Sequence, residues 1–237
     1  MKKIDFKSLV VKETDDYLIV NKPPYFSTLE DRHEAQNMLA LAKQEFSDIQ
    51  VCHRLDKETS GCLVFAKNPE AYRNIAMQFE DRKVEKVYHA VAEGIHDFDG
   101  LMVDRNLTAS NNGIARIVVN GKSAQTIFKT VRTYFSHTLI ACKPITGRLH
   151  QIRIHLAYLG APICGDELYG GKPLFLSSLK RKFNLKKDTE ERPIMQRVAL
   201  HAFAISFTDL SGEKISAEAP YPKDFAVMIK QLEKTSK

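Results

Sequence analysis

The chain has 237 residues, of which 43% are hydrophobic and 27% charged, a composition ordinary for a globular protein. Its opening segment, MKKIDFKSLVVKETDD, turns acidic too early for a secretory signal, and no apolar run approaches the roughly 20 residues that span a bilayer. We therefore expect a cytoplasmic protein without a membrane segment. The net charge of +6 and the pI of about 9.0 favour polyanionic partners, RNA or DNA, over acidic proteins.

Four isolated cysteines occur in apolar segments: Cys52, Cys62, Cys142 and Cys164. None belongs to a C-x-x-C pair, and a cytosolic chain of this length needs no disulfide. The pattern predicts small buried side chains and neither a structural zinc site nor a disulfide framework.

The first half of the chain is predicted to contain, in order, a strand at Tyr17–Asn21, a helix at about His33–Phe46, a strand at Cys62–Lys67, a helix beginning at Asn68-Pro69-Glu70 and a strand at Glu85–Ala92. The second half is predicted to contain strand-like runs at 126–128 and 137–142, a helix from about Thr146 to Leu159, a strand at 198–207 and a last helix after Asp224. Residues 172–196 are polar and basic, which predicts an irregular surface excursion. Strands dominate the middle and helices interleave irregularly, so we predict an α+β fold and not a doubly wound α/β fold.

The segment CHRLDKETSG, residues 52–61, places the acid Asp56 beside apolar runs on both sides. A carboxylate at the edge of a core costs free energy unless a partner or a chemical role keeps it there. Arg54 precedes Asp56 closely, and the later polar stretch around Arg148 and Arg153 offers further cations. An arginine beside a buried carboxylate keeps it ionised, which suits a positioned nucleophile or base and equally suits a structural ion pair. Spacing alone leaves both readings open.

Other kinds of site receive less support. His150 and His155 are five residues apart, so they do not share the helix face that a zincin uses, and structural histidines are the better interpretation. Ser60 lacks the G-x-S-x-G elbow of a hydrolase, and no glycine-rich phosphate-binding loop occurs. We predict no metal site.

Several segments resemble, in order, those of the RluA family of RNA pseudouridine synthases. Residues 53–61 match H-R-L-D-x-x-T-S-G, and residues 143–153 are similar to P-x-T-G-R-x-H-Q-I-R. Between and around them lie segments similar to the family's opening strand, its K-x-Y-x-A and G-K-x-A-x-T segments, and two later motifs: 16–23, 86–90, 121–126, 165–170 and 200–202. The resemblance covers about residues 15–220.

The resemblance implies a pseudouridine synthase-like α+β fold, with a central, mostly antiparallel mixed sheet, flanking helices and a cleft between two lobes. It implies one catalytic domain over residues 1–237, without the small RNA-binding module that precedes this domain in many relatives. No cofactor and no obligatory protein partner are expected. RNA, ribosomal or transfer, would be the substrate, gripped by the catalytic domain itself through, for example, the basic excursion.

The resemblance also implies roles for individual residues. Asp56 would be the catalytic aspartate, and Tyr88 would lie against the target base and accept a proton. Arg153 would pair with the aspartate, while Arg54 would help to displace the flipped nucleotide. Further substrate-binding residues are predicted from the same motif segments: His53, Thr59, Arg148, His150 and Gln151.

Base flipping is also expected on physical grounds. A stacked uridine is inaccessible to the side chains of an enzyme, so it must leave the stack and enter a pocket at a cost of a few kcal/mol. Arg54 could fill the vacated space by stacking, and Tyr88 offers a flat, amphipathic wall. The alternative function is a non-catalytic RNA-binding or ribosome-assembly protein with the same fold. A metal-dependent hydrolase is a third and weaker hypothesis.

Overall fold

The computed structural model of the protein describes residues 5–30, 36–110, 113–180, 183–185 and 189–235. The chain divides into two compact units, Met1–Val87 with His201–Pro220 and Tyr88–Leu200 with Tyr221–Lys237. Both units combine strands with helices and most strand pairs are antiparallel, which confirms the predicted α+β fold. That they act as one catalytic domain stays a prediction.

The first unit pairs its strands in the order β1, β2, β4, β11 and β12, and β3 also pairs with β4. Their bounds are β1 Val10–Glu13, β2 Tyr17–Lys22, β3 Gln50–Val51, β4 Ser60–Ala66, β11 Leu200–Thr208 and β12 Lys214–Glu218. Strand β11 runs parallel to β4 through the pairs His201 with Ser60 and Ala202 with Gly61. The core of the first unit contains apolar side chains from these strands and from the second helix, among them Tyr17, Val64, Ile75 and Phe207.

Two helices, α1 Met38–Glu45 and α2 Pro69–Glu80, belong to this unit. Helix α2 begins as predicted, because the Asn68 side chain accepts a hydrogen bond from the Ala71 N–H at 2.8 Å. On this helix Tyr72 is 37% exposed, whereas Gln78 is buried. Helix α1 begins at Met38, capped by Asn37; the predicted start at His33 lies outside the described residues.

The second unit contains an antiparallel sheet in the order β5, β10, β9 and β6, and a separate hairpin of β7 and β8. The bounds are β5 Glu85–Glu93, β6 Asp99–Asp104, β7 Leu107–Ala109, β8 Ala115–Ile117, β9 Gln125–Thr133 and β10 His137–Pro144. Its helices are α3 Gln151–Tyr158, α4 Leu176–Leu179 and α5 Lys223–Thr235. The α5 residues Phe225, Met228 and Leu232 are buried in a core shared with β5 and β10.

Helix α3 starts at Gln151, so the prediction of a start near Thr146 was wrong. The backbone of His150 is left-handed, with φ at 51°, and this conformation separates the preceding turn from the helix. The described residues between 172 and 196 are irregular apart from α4, although Leu174 and Met195 are buried in the core of the unit. The basic residues 181–182 and 186–187 of this excursion lie outside the described residues.

No disulfide joins the cysteines, and Cys62, Cys142 and Cys164 are buried while Cys52 is half-buried. Burial raises the pKa of all four thiols, to about 12 for Cys52 and Cys62. They are therefore protonated apolar side chains, as predicted. Within the described residues, no helix combines the length and the hydropathy needed to cross a membrane.

Candidate active site

Asp56 lies on a loop of residues 53–60, the Asp56 loop, which leads from β3 into β4. The Thr59 N–H donates to the Asp56 carbonyl at 3.0 Å, which closes a tight turn directly after the acid. The Asp56 side chain is half-buried, Leu55 before it is buried, and Arg54 is exposed. The turn therefore begins at Asp56 itself.

The hydroxyl of Thr28 fixes the residue just before the acid. Its Oγ1 donates to the Leu55 carbonyl at 2.9 Å and accepts from the Leu55 N–H at 3.1 Å. Both backbone polar groups of Leu55 are thereby satisfied inside the protein, where an unpaired group costs about 1–3 kcal/mol. Thr28 is itself buried, so solvent does not compete for these bonds.

A fully buried lysine, Lys22 at the end of β2, fixes the residue just after the acid. Its ammonium group donates to the carbonyls of Lys57 at 3.1 Å, Phe26 at 2.8 Å and Pro23 at 3.1 Å. The side chain is 0% exposed, and a buried cation is tolerated only when its donors are satisfied in this way. The Asp56 loop is thus attached to the neighbouring strand and loop by a charged group.

The last residues of the motif join the loop to β11. The Ser60 hydroxyl lies 2.9 Å from Nδ1 of His201, and Nε2 of His201 lies 3.0 Å from the Ala219 carbonyl. Since only a protonated Nε2 can donate to that carbonyl, the ring meets the Ser60 hydroxyl through its other nitrogen, Nδ1. A Cβ at Gly61, where φ is 114°, would lie 2.2 Å from the Ala202 carbonyl oxygen, so only glycine fits there.

His53, a predicted substrate-binding residue, uses its ring inside the protein. Its Nε2 accepts from the Val64 N–H at 3.1 Å, and its ring packs on Phe79. Burial, together with the charge of Lys86, lowers the pKa of His53 to about 3, so the ring stays neutral. This geometry favours a structural role for His53 over substrate contact.

Tyr88 lies on β5 in the second unit, opposite Cys142 of β10. Its half-buried ring packs against the apolar core of that unit. The next residue, His89, is buried, and its Nδ1 lies 2.6 Å from the hydroxyl of Tyr221. Burial raises the pKa of Tyr221 to about 12. The Tyr88 backbone is therefore fixed between a sheet neighbour and a buried polar pair.

Arg153, on α3, forms a bidentate ion pair with Asp166. The Nε and Nη2 atoms of the guanidinium lie 2.7 and 2.6 Å from the two carboxylate oxygens of Asp166. The side chains of Arg153 and Asp166 are 11% and 1% exposed, so this ion pair is almost completely excluded from solvent. The guanidinium also lies over the ring of Tyr169, 5.1 Å from its centroid. The pairing of Arg153 with Asp56 that the resemblance implies stays a prediction.

Sequence reasoning gave no role to Asp166, although it belongs to the quoted segment 165–170. Its position thirteen residues after Arg153 carries no spacing signal for an ion pair. The available hint was that Asp166 follows Gly165 and precedes Tyr169 within the motif segment 165–170. Asp166 holds the Arg153 guanidinium in one orientation.

Gln151 is buried, and all of its hydrogen-bonding capacity is used in the turn of residues 145–151, the Arg148 turn. Its Oε1 accepts from the Thr146 hydroxyl and the Arg148 N–H, at 2.7 and 3.0 Å. Its Nε2 donates to the Gln125 carbonyl and the Thr126 hydroxyl, both at 2.9 Å. An amide side chain offers no further groups, so the geometry favours a structural role over the predicted substrate contact.

His150 and Arg148 occupy the same turn. Nδ1 of half-buried His150 lies 3.0 Å from the Tyr169 hydroxyl, which also accepts from the Ala115 N–H at 2.9 Å. Arg148 is exposed, and its Nε donates to the Ser123 carbonyl at 3.2 Å. Of these two residues, Arg148 therefore has the side chain that is better placed to bind a ligand from solvent.

The described residues contain no group of three or more His, Cys, Asp and Glu side chains placed to hold a metal ion. Within those same residues, the predicted site residues fall into two sets. Asp56 lies on the loop of the first unit with Arg54, His53 and Thr59. Tyr88, Arg148, His150, Gln151 and Arg153 belong to the second unit.

Comparison with known proteins bears directly on the motif segments. A family model described as RNA pseudouridylate synthase matches residues 16–158. Ribosomal large subunit pseudouridine synthase D of Neisseria meningitidis is 36% identical over 94% of this chain and 60% of its own length. Ribosomal large subunit pseudouridine synthase C of Escherichia coli K12 is 31% identical over 94% of this chain and 70% of its own length. The chain thus spans about 60% of the length of its Neisseria relatives.

Solved structures agree on the fold. Human RNA pseudouridylate synthase domain containing 4 superposes with a TM-score of 0.74 at 23% identity, covering 96% of this chain and 95% of its own. Human RNA pseudouridylate synthase domain containing 1 gives a TM-score of 0.71 at 25% identity, over 94% of this chain and 87% of its own. The matched segment contains Asp56, Tyr88 and Arg153. The chain belongs to the RNA pseudouridylate synthase family, and its resemblance to the RluA-type members is confirmed.

Proposed function

We propose that this protein isomerises one or more uridines to pseudouridine in structured RNA, ribosomal or transfer. The reaction breaks the bond between uracil and ribose, turns the base over and rejoins it through carbon. No atom is gained or lost overall: the carbon that forms the new bond releases a proton, and the freed nitrogen takes one up. The relatives named for the large ribosomal subunit favour ribosomal RNA as the substrate.

The observation that carries the proposal is how the Asp56 loop is held. Thr28, Lys22 and the Thr59 turn fix the backbone on both sides of the acid, through buried hydrogen bonds of 2.9–3.1 Å. The arrangement fixes the backbone that carries the half-buried Asp56 carboxylate. A reactive group held by rigid neighbours needs little reorganisation when it reacts, which is how positioning lowers a barrier.

Asp56 is proposed as the nucleophile towards the sugar or the base, or as the base that removes a ribose proton. Tyr88 is proposed to lie against the uracil and to accept a proton. Arg153 is proposed to stabilise the charge that develops, because Asp166 already fixes its guanidinium in one orientation. No cofactor is assigned to any step.

Base flipping is part of the proposal, since a stacked uridine must leave the helix before the bond between its base and its sugar can be exchanged. Arg54 is exposed and directly precedes the fixed Leu55–Asp56 pair. A planar guanidinium can stack where the uridine has left. Arg54 is therefore proposed to occupy that space.

The alternative function is an RNA-binding or ribosome-assembly protein that needs no turnover. Its prediction differs at Asp56, because a binding protein would not depend on one carboxylate. A deletion strain should lose pseudouridine at one or more RNA positions when mapped across the transcriptome. Wild type should restore these signals and Asp56→Asn should not; growth rescue by the Asn variant without modification would instead favour the binding protein.

A further inference from the structure

The second unit contains a cavity of about 580 Å³, the hairpin cavity, bounded by the β7–β8 hairpin, the turn before β9 and the Arg148 turn. The residues that line this cavity include Leu107, Thr108, Asn120, Lys122, Arg148 and Leu149. We propose that the hairpin cavity binds one nucleotide of the substrate RNA other than the uridine that reacts, with its phosphate on Arg148 and Lys122. The inference rests on the proposed function, because that function makes RNA the ligand.

The charge of the hairpin cavity suits a phosphate. Lys122 and Arg148 are both exposed cations, and the described residues that line the cavity include no carboxylate. A guanidinium can bind two phosphate oxygens at once, whereas an ammonium adds a point charge. An acidic peptide would meet the same cations, but it would not need the apolar and amide groups beside them.

Hydrogen bonds fix the backbone at both cations, Lys122 and Arg148. The Lys122 N–H and carbonyl exchange hydrogen bonds with Leu107 at 2.8 and 2.9 Å, which ties this turn to β7. The Arg148 N–H is held by buried Gln151, and its Nε by the Ser123 carbonyl. Among the described residues, the terminal nitrogens of Arg148 form no hydrogen bond, so the two nitrogens that best fit a phosphate can bind a ligand.

The other lining groups fit the rest of a nucleotide. Leu107 is buried and Leu149 half-buried, and they give an apolar wall for a base. The Asn120 amide and the Thr108 hydroxyl can hydrogen-bond base edges or ribose. The volume of about 580 Å³ lies within the range of about 300–1,000 Å³ typical of small-ligand pockets.

One contact path joins the hairpin cavity to the site already described. Ala115, whose backbone lines the cavity, donates its N–H to the Tyr169 hydroxyl at 2.9 Å. The Tyr169 ring in turn lies beneath the Arg153 guanidinium. A nucleotide in the cavity would therefore bind close to Arg153, as expected for a neighbour of the target in the same RNA.

The test compares Lys122→Gln/Arg148→Gln with the charge-matched control Arg73→Gln/Lys230→Gln, whose residues are exposed and lie outside the cavity. The RNA is unmodified large-subunit ribosomal RNA made by transcription, with binding measured by filter retention and turnover by pseudouridine formation. Losing both cations that neutralise this one phosphate should weaken binding about tenfold or more and reduce the salt slope by about 0.7–0.9. The control should bind like wild type, and in the cavity variant KM should rise more than kcat falls.

The possible outcomes separate the two proposals. If wild type turns the RNA over and the cavity variant matches the control in binding and salt slope, the cavity proposal is wrong while the proposed function stands. If wild type makes no pseudouridine but the cavity variant alone loses salt-sensitive binding, the cavity proposal stands and the proposed function fails for this RNA. Ultraviolet crosslinking of wild type should place RNA on peptides containing residues 107–109 or 147–149; crosslinks confined to other segments would overturn the cavity proposal.

Discussion

The Asp56 loop and the Arg148 turn with its following helix are held by opposite strategies. In the Asp56 loop, Lys22, Thr28 and Thr59 hydrogen-bond to the backbone that carries the Asp56 side chain. After the Arg148 turn, the fixed object is a side chain, because Asp166 holds the Arg153 guanidinium through two bonds. One region thus positions a charge through its peptide frame and the other through a counter-ion.

The difference explains why so many motif residues face inward. Ser60, Gly61 and His53 serve the frame of one region, and Gln151 serves the other. If the two regions are held in these different ways, changes that alter backbone geometry should destabilise the Asp56 loop most. Changes that leave a buried charge without its partner should destabilise the Arg148 turn and its following helix most.

Gly61→Ala should cause the largest loss of stability. The new Cβ would meet the Ala202 carbonyl oxygen at 2.2 Å, within the parallel pairing of β4 and β11. We expect the free energy of unfolding to fall by more than about 4 kcal/mol, measured by urea denaturation. Gly212→Ala is the control, because its φ of 90° is also positive but nothing lies within 4 Å of the added Cβ. It should cost about 1–2 kcal/mol, and equal losses in the two variants would refute the steric argument.

Arg153→Met should follow, because it leaves the Asp166 carboxylate buried without its arginine. The expected loss is about 3 kcal/mol, the lower end for breaking a buried pair. The double variant Arg153→Met/Asp166→Leu should recover part of that loss, since it removes both charges. Additive losses in the double-mutant cycle would contradict the fixed pair.

Tyr169→Phe should have a smaller effect. It removes the hydroxyl that binds His150 and the Ala115 N–H while keeping the ring beneath Arg153. The expected loss is about 2 kcal/mol, from an N–H left without its acceptor. Tyr158→Phe, whose half-exposed hydroxyl binds Arg105, should change stability by less than about 0.5 kcal/mol. Amide exchange at Ala115 should quicken in Tyr169→Phe alone; unchanged exchange would argue against the link to the hairpin.

The last prediction is a pH dependence of stability that comes from His53. Its pKa is about 3 in the folded protein, against about 6.5 unfolded, so the folded state excludes a proton that the unfolded state binds. Its stabilising contribution is therefore complete above pH 6.5 and falls by up to about 1.4 kcal/mol per pH unit as the pH drops below it. His53→Gln, which keeps an acceptor for the Val64 N–H, should show a shallower loss between pH 6.5 and 4.5. Parallel curves would contradict the buried neutral ring.

The sequence predicted those features that local signals encode. The Asn68 cap, six of the strands (β2, β4, β5, β9, β10 and β11) and the family segments were predicted correctly, because each depends on neighbours in the chain. The Thr146 helix start was wrong, because the left-handed backbone of His150 and the bonds of Gln151 to β9 override its helical spacing. The inward use of His53 and the pairing of Asp166 depend on groups remote in sequence, which no spacing reveals.

The central claim, that Asp56 performs chemistry, is tested most directly by proton release from the reacting base. The substrate is large-subunit ribosomal RNA made by transcription, with tritium on the uracil carbon that forms the new bond. Wild type and the control Asp48→Asn, an exposed acid of the same unit, should release tritium to water. Asp56→Asn should fold and bind the RNA but release none above background. Release by Asp56→Asn close to the wild-type rate would contradict the account.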